Sequence, residues 1–188
     1  EMNAEIPGAK ELNGVNVNMG VFSAVTRLKK EHGYDDAVKA LPGFSSIVKY
    51  TGNDFKEYNI PLREAFKQFF RDGKVDPWTK EDVFGKGKIT RMRKSFDVIK
   101  PLPEPYTVWR STSTRKYTST EIQEAFRPGK DFVDPAFLST SLRSNINFGS
   151  RKIIMEIFLP KGSRVIPVLD HSQHSNENEI ILPPLSVL

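Results

Sequence analysis

Apolar residues in the first half of the chain recur every three or four positions, which is the spacing of amphipathic helices. The pattern predicts a helix over Val21–His32, which Gly33 is expected to end. A short helix is predicted over Asp35–Leu41. A longer helix is predicted over Asn53–Arg71, with Pro61 near its start or at a kink.

The ends of this helical half are less regular. Residues 1–20 are polar and contain several Asn and Gly residues, so we expect a leader or linker there. A fourth helix is predicted over Thr79–Lys94, with Thr79 as its N-cap, although Gly85 and Gly87 weaken it. The first residue is Glu1 rather than methionine, which leaves open that the chain is a fragment of a longer protein.

The pattern changes from helical to strand-like at a proline-rich connector. Pro101, Pro103 and Pro105 make this connector stiff. Beyond it, short runs of β-branched and aromatic residues alternate with turn residues. These runs predict five strands: Tyr106–Arg110, Ala136–Ser141, Lys152–Leu159, Arg164–Leu169 and Glu179–Leu182.

Three details of the second half bear on its topology. Ile153–Leu159 is the most apolar run and is predicted to be a central strand. Thr118 and Glu121 are typical of a capping box that starts a short helix ending at Phe126. Lys161–Ser163 predicts a hairpin turn. A helical first half and a strand-rich second half indicate an α+β fold.

Length and composition suit one folded domain. The chain has 188 residues, of which 38% are hydrophobic and 13 are Phe, a globular composition. We expect residues 21–188 to form a single domain, with a helical part over 21–100 and a β-rich part over 101–188. No internal repeat is visible.

Charge and cysteine content exclude several functions. The net charge of +5 is too small to indicate a nucleic-acid binder, and the basic residues between Lys86 and Lys94 fit a solvated helix face. The chain has no cysteine, which excludes disulfides, thiolate catalysis and Cys-based zinc sites. No run approaches the roughly 20 apolar residues of a membrane span.

Two carboxylates near the C-terminus are the strongest candidates for chemistry. In a strand, Glu177 and Glu179 would lie on one face about 6.5 Å apart. Such a pair either meets cations, serves a site, or forms a solvated polar edge. His171 and His174 precede it, but no third metal ligand is evident at suitable spacing.

Polar residues on two other predicted strands are further candidates. Arg110 follows Trp109, where a guanidinium can pair with a carboxylate or bind phosphate in a fork. The hydroxyl run Ser139–Ser141 is either an ordinary β-edge or part of a site. The chain has no GxSxG elbow, P-loop or GxGxxG sequence, so a hydrolase serine and a Rossmann dinucleotide site are not indicated.

Three motifs in this order resemble those of the arginine-specific mono-ADP-ribosyltransferase toxins. They are the aromatic-Arg strand Tyr106–Arg110 (YTVWR), the Ser-Thr-Ser strand Phe137–Leu142 (FLSTSL) and the Glu-x-Glu segment Asn176–Leu182 (NENEIIL). The stretch Ser139–Ser163 is similar to the enzymatic component of clostridial iota toxin. Tyr50–Arg63 resembles the helix that opens the catalytic domain of that group. The resemblance implies two packed, mainly antiparallel β-sheets with an N-terminal helical subregion, the β-rich part being the NAD-binding core.

The resemblance also implies roles for residues on the Arg and Ser-Thr-Ser strands. Arg110 would hold the phosphate and ribose side of NAD, and the backbone at Ser111 would hold the nicotinamide amide. Ser139 would hydrogen-bond the catalytic carboxylate. Thr140 and Ser141 would shape the nicotinamide pocket.

The remaining NAD contacts implied by the resemblance come from elsewhere in the chain. Phe148 would cover the nicotinamide ring and Arg151 would reach a phosphate. Tyr50, Phe55 and Asn59 would line the dinucleotide site. Members of the family often have Tyr at the position of Phe55, so one hydroxyl contact is absent here.

The two glutamates would divide the reaction between them. Glu179 would bind the nicotinamide-ribose hydroxyl, and Glu177 would face the acceptor arginine. His174 stands where relatives commonly place an aromatic residue that recognises the target. The implied reaction is ADP-ribose transfer from NAD to a protein arginine, with release of nicotinamide and no metal.

The implied setting is that of a secreted or injected effector that acts in the cytoplasm of a target cell. Its partner would be a target protein bearing the acceptor arginine. A cognate immunity or carrier protein is possible, whereas nucleic acid and a membrane span are not expected. Two alternatives stay open, namely an NAD glycohydrolase on the same fold and a catalytically inactive relative that only binds a partner.

Overall fold

The N-terminal part of the protein is a set of helices. The structure is a computed structural model that describes residues 17–72, 87–112, 120, 123–124, 127–144 and 153–188. The helices are α1 (Val17–Thr26), α2 (Tyr34–Lys39), α3 (Phe44–Lys49), α4 (Phe55–Asp72) and α5 (Lys88–Val98), with π-helical turns at Arg27–Glu31 and Tyr50–Asp54. No helix within these residues is long and apolar enough to cross a membrane.

Several helix boundaries differ from those predicted. Helix α1 begins at Val17, inside the segment expected to be a leader, and α3 was not predicted. Pro61 is the seventh residue of α4 and so lies inside the helix rather than at its start. A break in the helical backbone falls at Gly52, which has non-helical angles.

The predicted start of the fourth helix lies outside the described residues. Helix α5 itself begins at Lys88, because Gly87 adopts a left-handed conformation with φ of 74° and interrupts any helix that continues through it. The prediction of one helix over Thr79–Lys94 is therefore wrong at Gly87. Most of the short helix predicted to end at Phe126 also falls outside the described residues.

The second half forms two antiparallel sheets, which confirms the predicted α+β class. The larger sheet has the order β4-β1-β3-β6-β5 and the smaller pairs β2 with β7. The strands are β1 (Tyr106–Thr112), β2 (Val133–Asp134), β3 (Leu138–Ser141), β4 (Ile153–Leu159), β5 (Ile166–Pro167), β6 (Glu179–Leu182) and β7 (Ser186–Val187).

The strand β4 lies at an edge of the larger sheet, so the prediction of a central strand is wrong. In the part of the chain that the structure describes, β4 pairs only with β1. One face of β4 points to solvent, where Ile154 and Phe158 are 63% and 66% exposed. The continuous apolar run had indicated a strand buried on both faces, but the core covers only one face of β4.

The turn after β4 is not a hairpin, because β4 and β5 lie at opposite edges of the sheet. It bonds the proline-rich connector instead. The Leu102 N–H donates to the Ser163 carbonyl at 2.9 Å, and the Gly162 N–H donates to the Leu102 carbonyl at 2.8 Å. The strand predicted at Arg164–Leu169 is shortened to Ile166–Pro167, since Leu169 has φ of 51° and opens a 3-10 turn.

Buried aromatic residues join the helices to the sheet. Tyr34, Tyr50, Tyr58 and Phe137 are among the largest fully buried side chains. Tyr50 contacts both Tyr58 and Phe137 edge to face, with ring centroids 5.6 and 5.7 Å apart. Tyr34 donates a hydrogen bond to the Pro101 carbonyl at 2.9 Å. The helical part thus fixes the start of β3, which carries the Ser-Thr-Ser run.

Candidate active site

Glu179 is the first residue of β6 and is buried, with only 2% of its surface exposed. Its carboxylate accepts one hydrogen bond from the hydroxyl of Ser139 at Oε1 and another from the hydroxyl of Ser172 at Oε2, at 2.9 Å. Burial raises the pKa of Glu179 from 4.5 to about 7, and the nearby charge of Glu177 adds to this, while the two serine bonds and His174 oppose it. The carboxyl therefore changes its charge near neutral pH.

The pairing of β3 with β6 brings Ser139 to this carboxylate. Ser141 pairs with Glu179 and Ser139 pairs with Ile181, so alternate residues of both strands lie on one face. Thr140 faces the other way, and its hydroxyl donates to the Ile180 carbonyl at 2.6 Å. Ser139 thus bonds the Glu179 carboxylate, whereas the hydroxyls of Ser141 and Thr140 donate to the backbone carbonyls of Glu177 and Ile180.

Glu177 does not lie in the strand, so the alternation argument for the pair is wrong. It ends a 3-10 turn over Ser175–Glu177, and Asn178 follows with a left-handed φ of 48°. Glu177 is half-buried, in contrast to Glu179, and its carbonyl accepts a hydrogen bond from the Ser141 hydroxyl. The turn therefore separates one buried from one partly exposed carboxylate, close enough for their charges to interact.

Arg110 reaches the same strand from β1. Its guanidinium Nη1 donates to the Ser139 carbonyl at 2.6 Å, so the backbone of Ser139 is held by Arg110 while its hydroxyl serves Glu179. Ser111, the next residue, is buried. The arginine predicted to bind phosphate thus lies beside the carboxylate cluster.

Tyr50 and Asn59 lie beneath the start of β3. The Tyr50 hydroxyl and the Asn59 Nδ2 both donate to the Phe137 carbonyl, at 3.0 and 3.2 Å, and Asn59 also donates to the Tyr50 oxygen at 3.1 Å. Burial raises the pKa of Tyr50 well above its ordinary value. Both residues are buried, whereas Phe55 at the start of α4 is 42% exposed. Their contact with NAD stays a prediction.

The loop between β5 and β6 is bound to the helical part of the protein. Lys29 pairs with Asp170, and Nε2 of His171 lies 2.9 Å from Oδ1 of Asp35. His174 is exposed on the same loop. These contacts hold the segment that precedes Glu177 and Glu179 against the helices.

Two predicted site residues, Phe148 and Arg151, lie outside the described residues. Among the residues that are described, no group of three or more His, Asp or Glu side chains could hold a metal ion. Ser172 was missed by sequence reasoning. It is one of two serines in the polar stretch Asp170–Asn176, and nothing in its local sequence distinguishes it as a partner of Glu179.

Residues 44–186 match the family described as ADP-ribosyltransferase exoenzyme. The chain belongs to the ADP-ribosyltransferase exoenzyme family. This match confirms an ADP-ribosyltransferase toxin and the ADP-ribosyltransferase fold, and it supports NAD-dependent ADP-ribosylation as the reaction. Arginine specificity stays a prediction. No curated protein sequence is similar enough to count as a match.

Solved structures of bacterial toxins share the fold of this exoenzyme. Plx2a, an ADP-ribosyltransferase toxin from Paenibacillus larvae, is 23% identical with a TM-score of 0.65, over 88% of this chain and 84% of that one. The C3 exoenzyme of Clostridium limosum is 19% identical with a TM-score of 0.66, over 92% and 84%.

The ADP-ribosylating toxin BECa of a binary enterotoxin of C. perfringens, solved with NADH, is 22% identical with a TM-score of 0.64. The match covers 88% of this chain but only 41% of BECa. The similar structures therefore include both C3 exoenzymes and a component of a binary toxin. A particular likeness to the iota component stays a prediction.

Proposed function

We propose that this exoenzyme transfers ADP-ribose from NAD to an arginine side chain of a target protein and releases nicotinamide. The observation that carries the proposal is the arrangement of two unlike carboxylates. Glu179 is buried and held by two serine hydroxyls, while Glu177 is half-buried at the end of the preceding turn. One carboxylate suits a reacting centre inside the protein, and the other suits an acceptor that arrives from solvent.

Glu179 is assigned to cleavage of the bond between nicotinamide and ribose. That cleavage passes through an oxocarbenium-like state with positive charge on the ribose, as in glycoside hydrolysis. A carboxylate that binds a ribose hydroxyl beside this charge stabilises it, and burial strengthens the effect because water does not screen it. The hydrogen bonds from Ser139 and Ser172 favour the ionised form that this role requires.

Glu177 is assigned to the acceptor. A protein arginine is protonated at ordinary pH and is therefore a poor nucleophile. A carboxylate beside the guanidinium binds it and accepts a proton as the nitrogen attacks the ribose carbon. The partial exposure of Glu177 fits this contact, and Glu177 lies in the 3-10 turn before Asn178, outside the strand that begins at Glu179.

The NAD site in this proposal surrounds Arg110, the residue assigned to the phosphate and ribose side. Phe148 and Arg151 retain the roles that the family resemblance implies. The acceptor protein would dock on the loop that carries His174. Family membership identifies a toxin, and we propose that it acts in the cytoplasm of a cell into which it is secreted or injected.

The test uses NAD labelled in its adenylate part, incubated with the protein and with lysates of several cell types. Transfer is expected to leave label on one or a few proteins, and mass spectrometry should locate ADP-ribose on arginine. Label on another residue type would contradict the arginine assignment. Release of nicotinamide with no labelled protein would instead indicate an NAD glycohydrolase.

A further inference from the structure

Gln173, in the loop before Glu177, bonds the π-helical turn Tyr50–Asp54 and the helix α3 that precedes it. The Gln173 backbone N–H donates to the Thr51 hydroxyl at 3.0 Å, and its Nε2 donates to the Val48 carbonyl at 3.3 Å. These bonds join residues more than 120 positions apart in the chain. The loop is thereby fixed to the junction between α3 and α4.

Gly52 makes this contact possible. A β-carbon at Gly52 would lie 2.2 Å from Oε1 of Gln173, so the Gln173 side chain occupies the space that any other residue would fill. The backbone at Gly52 is also non-helical, with φ of −92° and ψ of −140°, and it breaks the helix at this point. Breaks with π-helical geometry are frequent at functional sites.

Ser172, the neighbour of Gln173, contacts Glu179 directly. Its hydroxyl donates to Oε2 of Glu179 at 2.9 Å and accepts a bond from the His174 N–H at 3.1 Å. Ser172 is buried, so water does not substitute readily for this bond. The charges of Glu177 and His174 on the same loop act on Glu179, and Arg110 on β1 bonds the carbonyl of Ser139, the other hydroxyl donor to Glu179.

We propose that Ser172 is a positioning residue for Glu179, and that the Gln173 side chain seated on Gly52 sets the position of Ser172. The proposal rests on the proposed function, in which Glu179 stands beside the reacting ribose. The helix break at Gly52 thereby gains a role that does not follow from family membership. Gly52 in the helical half would then influence the position of Glu179 in the β-rich half, through Gln173 and Ser172.

The first test removes the Ser172 hydroxyl. In Ser172→Ala, Glu179 loses one of the two donors that favour its ionised form, so its pKa is expected to rise by about one unit. The Glu179 carboxyl is followed by 13C NMR during a pH titration, with Glu179→Gln to assign its signal. Ser172→Thr keeps a hydroxyl and should restore the wild-type titration. Ser163→Ala, which removes a hydroxyl that donates to the Pro160 carbonyl within a turn, is the matched control.

The NMR titration separates this proposal from the proposed function, because it needs no NAD. If the wild-type protein consumes no NAD, the proposed function fails while the titration still decides the role of Ser172. An unchanged Glu179 titration in Ser172→Ala overturns the positioning role. In an active enzyme, the acid limb of the pH profile of NAD turnover should move upward by the same amount.

The second test concerns the Gly52–Gln173 contact. Gly52→Ala displaces the far end of Gln173, a flexible group, so the protein should still fold. Gln173→Ala removes the same contact from the other side. Each variant is expected to raise the pKa of Glu179 and to lower NAD turnover, and the double variant should be no worse than either one. If the losses of NAD turnover in the two single variants add up in the double variant, Gly52 and Gln173 do not act through one contact, and the proposal is overturned.

Gly20→Ala is the control, because a β-carbon at Gly20 would lie within 4 Å of no other atom.

Discussion

The hydroxyl of Ser139 donates a hydrogen bond to Oε1 of Glu179 across the pairing of β3 with β6. Two residues 40 positions apart are thereby placed in one site by strand register alone. A third strand enters the site because Arg110 bonds the Ser139 carbonyl.

Glu179→Gln is expected to abolish NAD turnover, with a loss of at least about a hundredfold in kcat, because the neutral amide does not stabilise positive charge on the ribose. Glutamine keeps the shape of the side chain and can still accept from Ser139. Nicotinamide release measures the effect. Turnover within a few-fold of wild type would contradict the role given to Glu179.

Glu179→Gln is also expected to have a higher free energy of unfolding than the wild type above neutral pH. Burial raises the pKa of Glu179 from 4.5 to about 7 in the folded protein. The folded state therefore binds more protons than the unfolded state between these values, and the wild-type free energy of unfolding falls as pH rises through this window. Glu179→Gln should be more stable than wild type at pH 8, on the order of 3 kcal/mol, and differ little at pH 4. Urea unfolding at both pH values measures this.

NAD turnover by the wild-type enzyme is expected to lose about tenfold in kcat/KM for each pH unit below pH 7, because the ionised form of Glu179 is required. Glu177→Gln removes a charge that raises this pKa, so the acid limb for NAD hydrolysis should move to lower pH. An acid limb that does not move would show that another group controls it.

Glu177→Ala should separate transfer from cleavage. Transfer of ADP-ribose to an arginine acceptor is expected to fall by about a hundredfold or more, since the guanidinium loses its proton acceptor, while slow NAD hydrolysis persists. Labelled acceptor and released nicotinamide are measured in the same reaction. Unchanged transfer would remove Glu177 from the acceptor site.

Arg110→Lys is expected to weaken NAD binding by about tenfold or more, because lysine has no planar fork for phosphate and does not reproduce the contact to the Ser139 carbonyl. Calorimetric titration with NAD measures the affinity. Arg164→Lys is a matched control, since Arg164 also donates to backbone carbonyls, those of Asp97 and Ile99, in another part of the protein. Equal losses in both variants would indicate a general effect on the fold.

Tyr50→Phe tests how the helices position β3. Loss of the hydroxyl removes a buried bond to the Phe137 carbonyl and an acceptor for Asn59, which is expected to cost about 1–2 kcal/mol of stability. Tyr58→Phe removes a comparable buried bond, to the Ser46 carbonyl, away from β3. Both variants should lose stability in chemical denaturation, but only Tyr50→Phe should lower NAD turnover.

The sequence predicts those parts of the fold that depend on local pattern. Runs of β-forming residues bounded by turn residues located β1, β3 and β6, and their motifs identified the family. The bond between Ser139 and Glu179 was implied by the resemblance to that family, and both residues lie on those strands.

Features that depend on a single backbone angle or on a distant partner could not be predicted in this way. The left-handed conformation of Asn178 removes Glu177 from the strand, although the same sequence fits a continuous strand. The fit of Gln173 on Gly52 joins segments that share no local signal. The edge position of β4 depends on the order of strands, on which an apolar run carries no information.

The position of β4 at the sheet edge affects whether two copies of the protein can pair through this strand. A strand with large apolar residues at a sheet edge is a template for pairing with another molecule. Glu156 stands at the midpoint of β4, between the exposed Ile154 and Phe158. If two copies joined their β4 strands antiparallel about that midpoint, the two Glu156 carboxylates would face each other, and like charges opposite one another disfavour pairing. In that register, Glu156 would therefore disfavour self-association of two copies through their β4 strands.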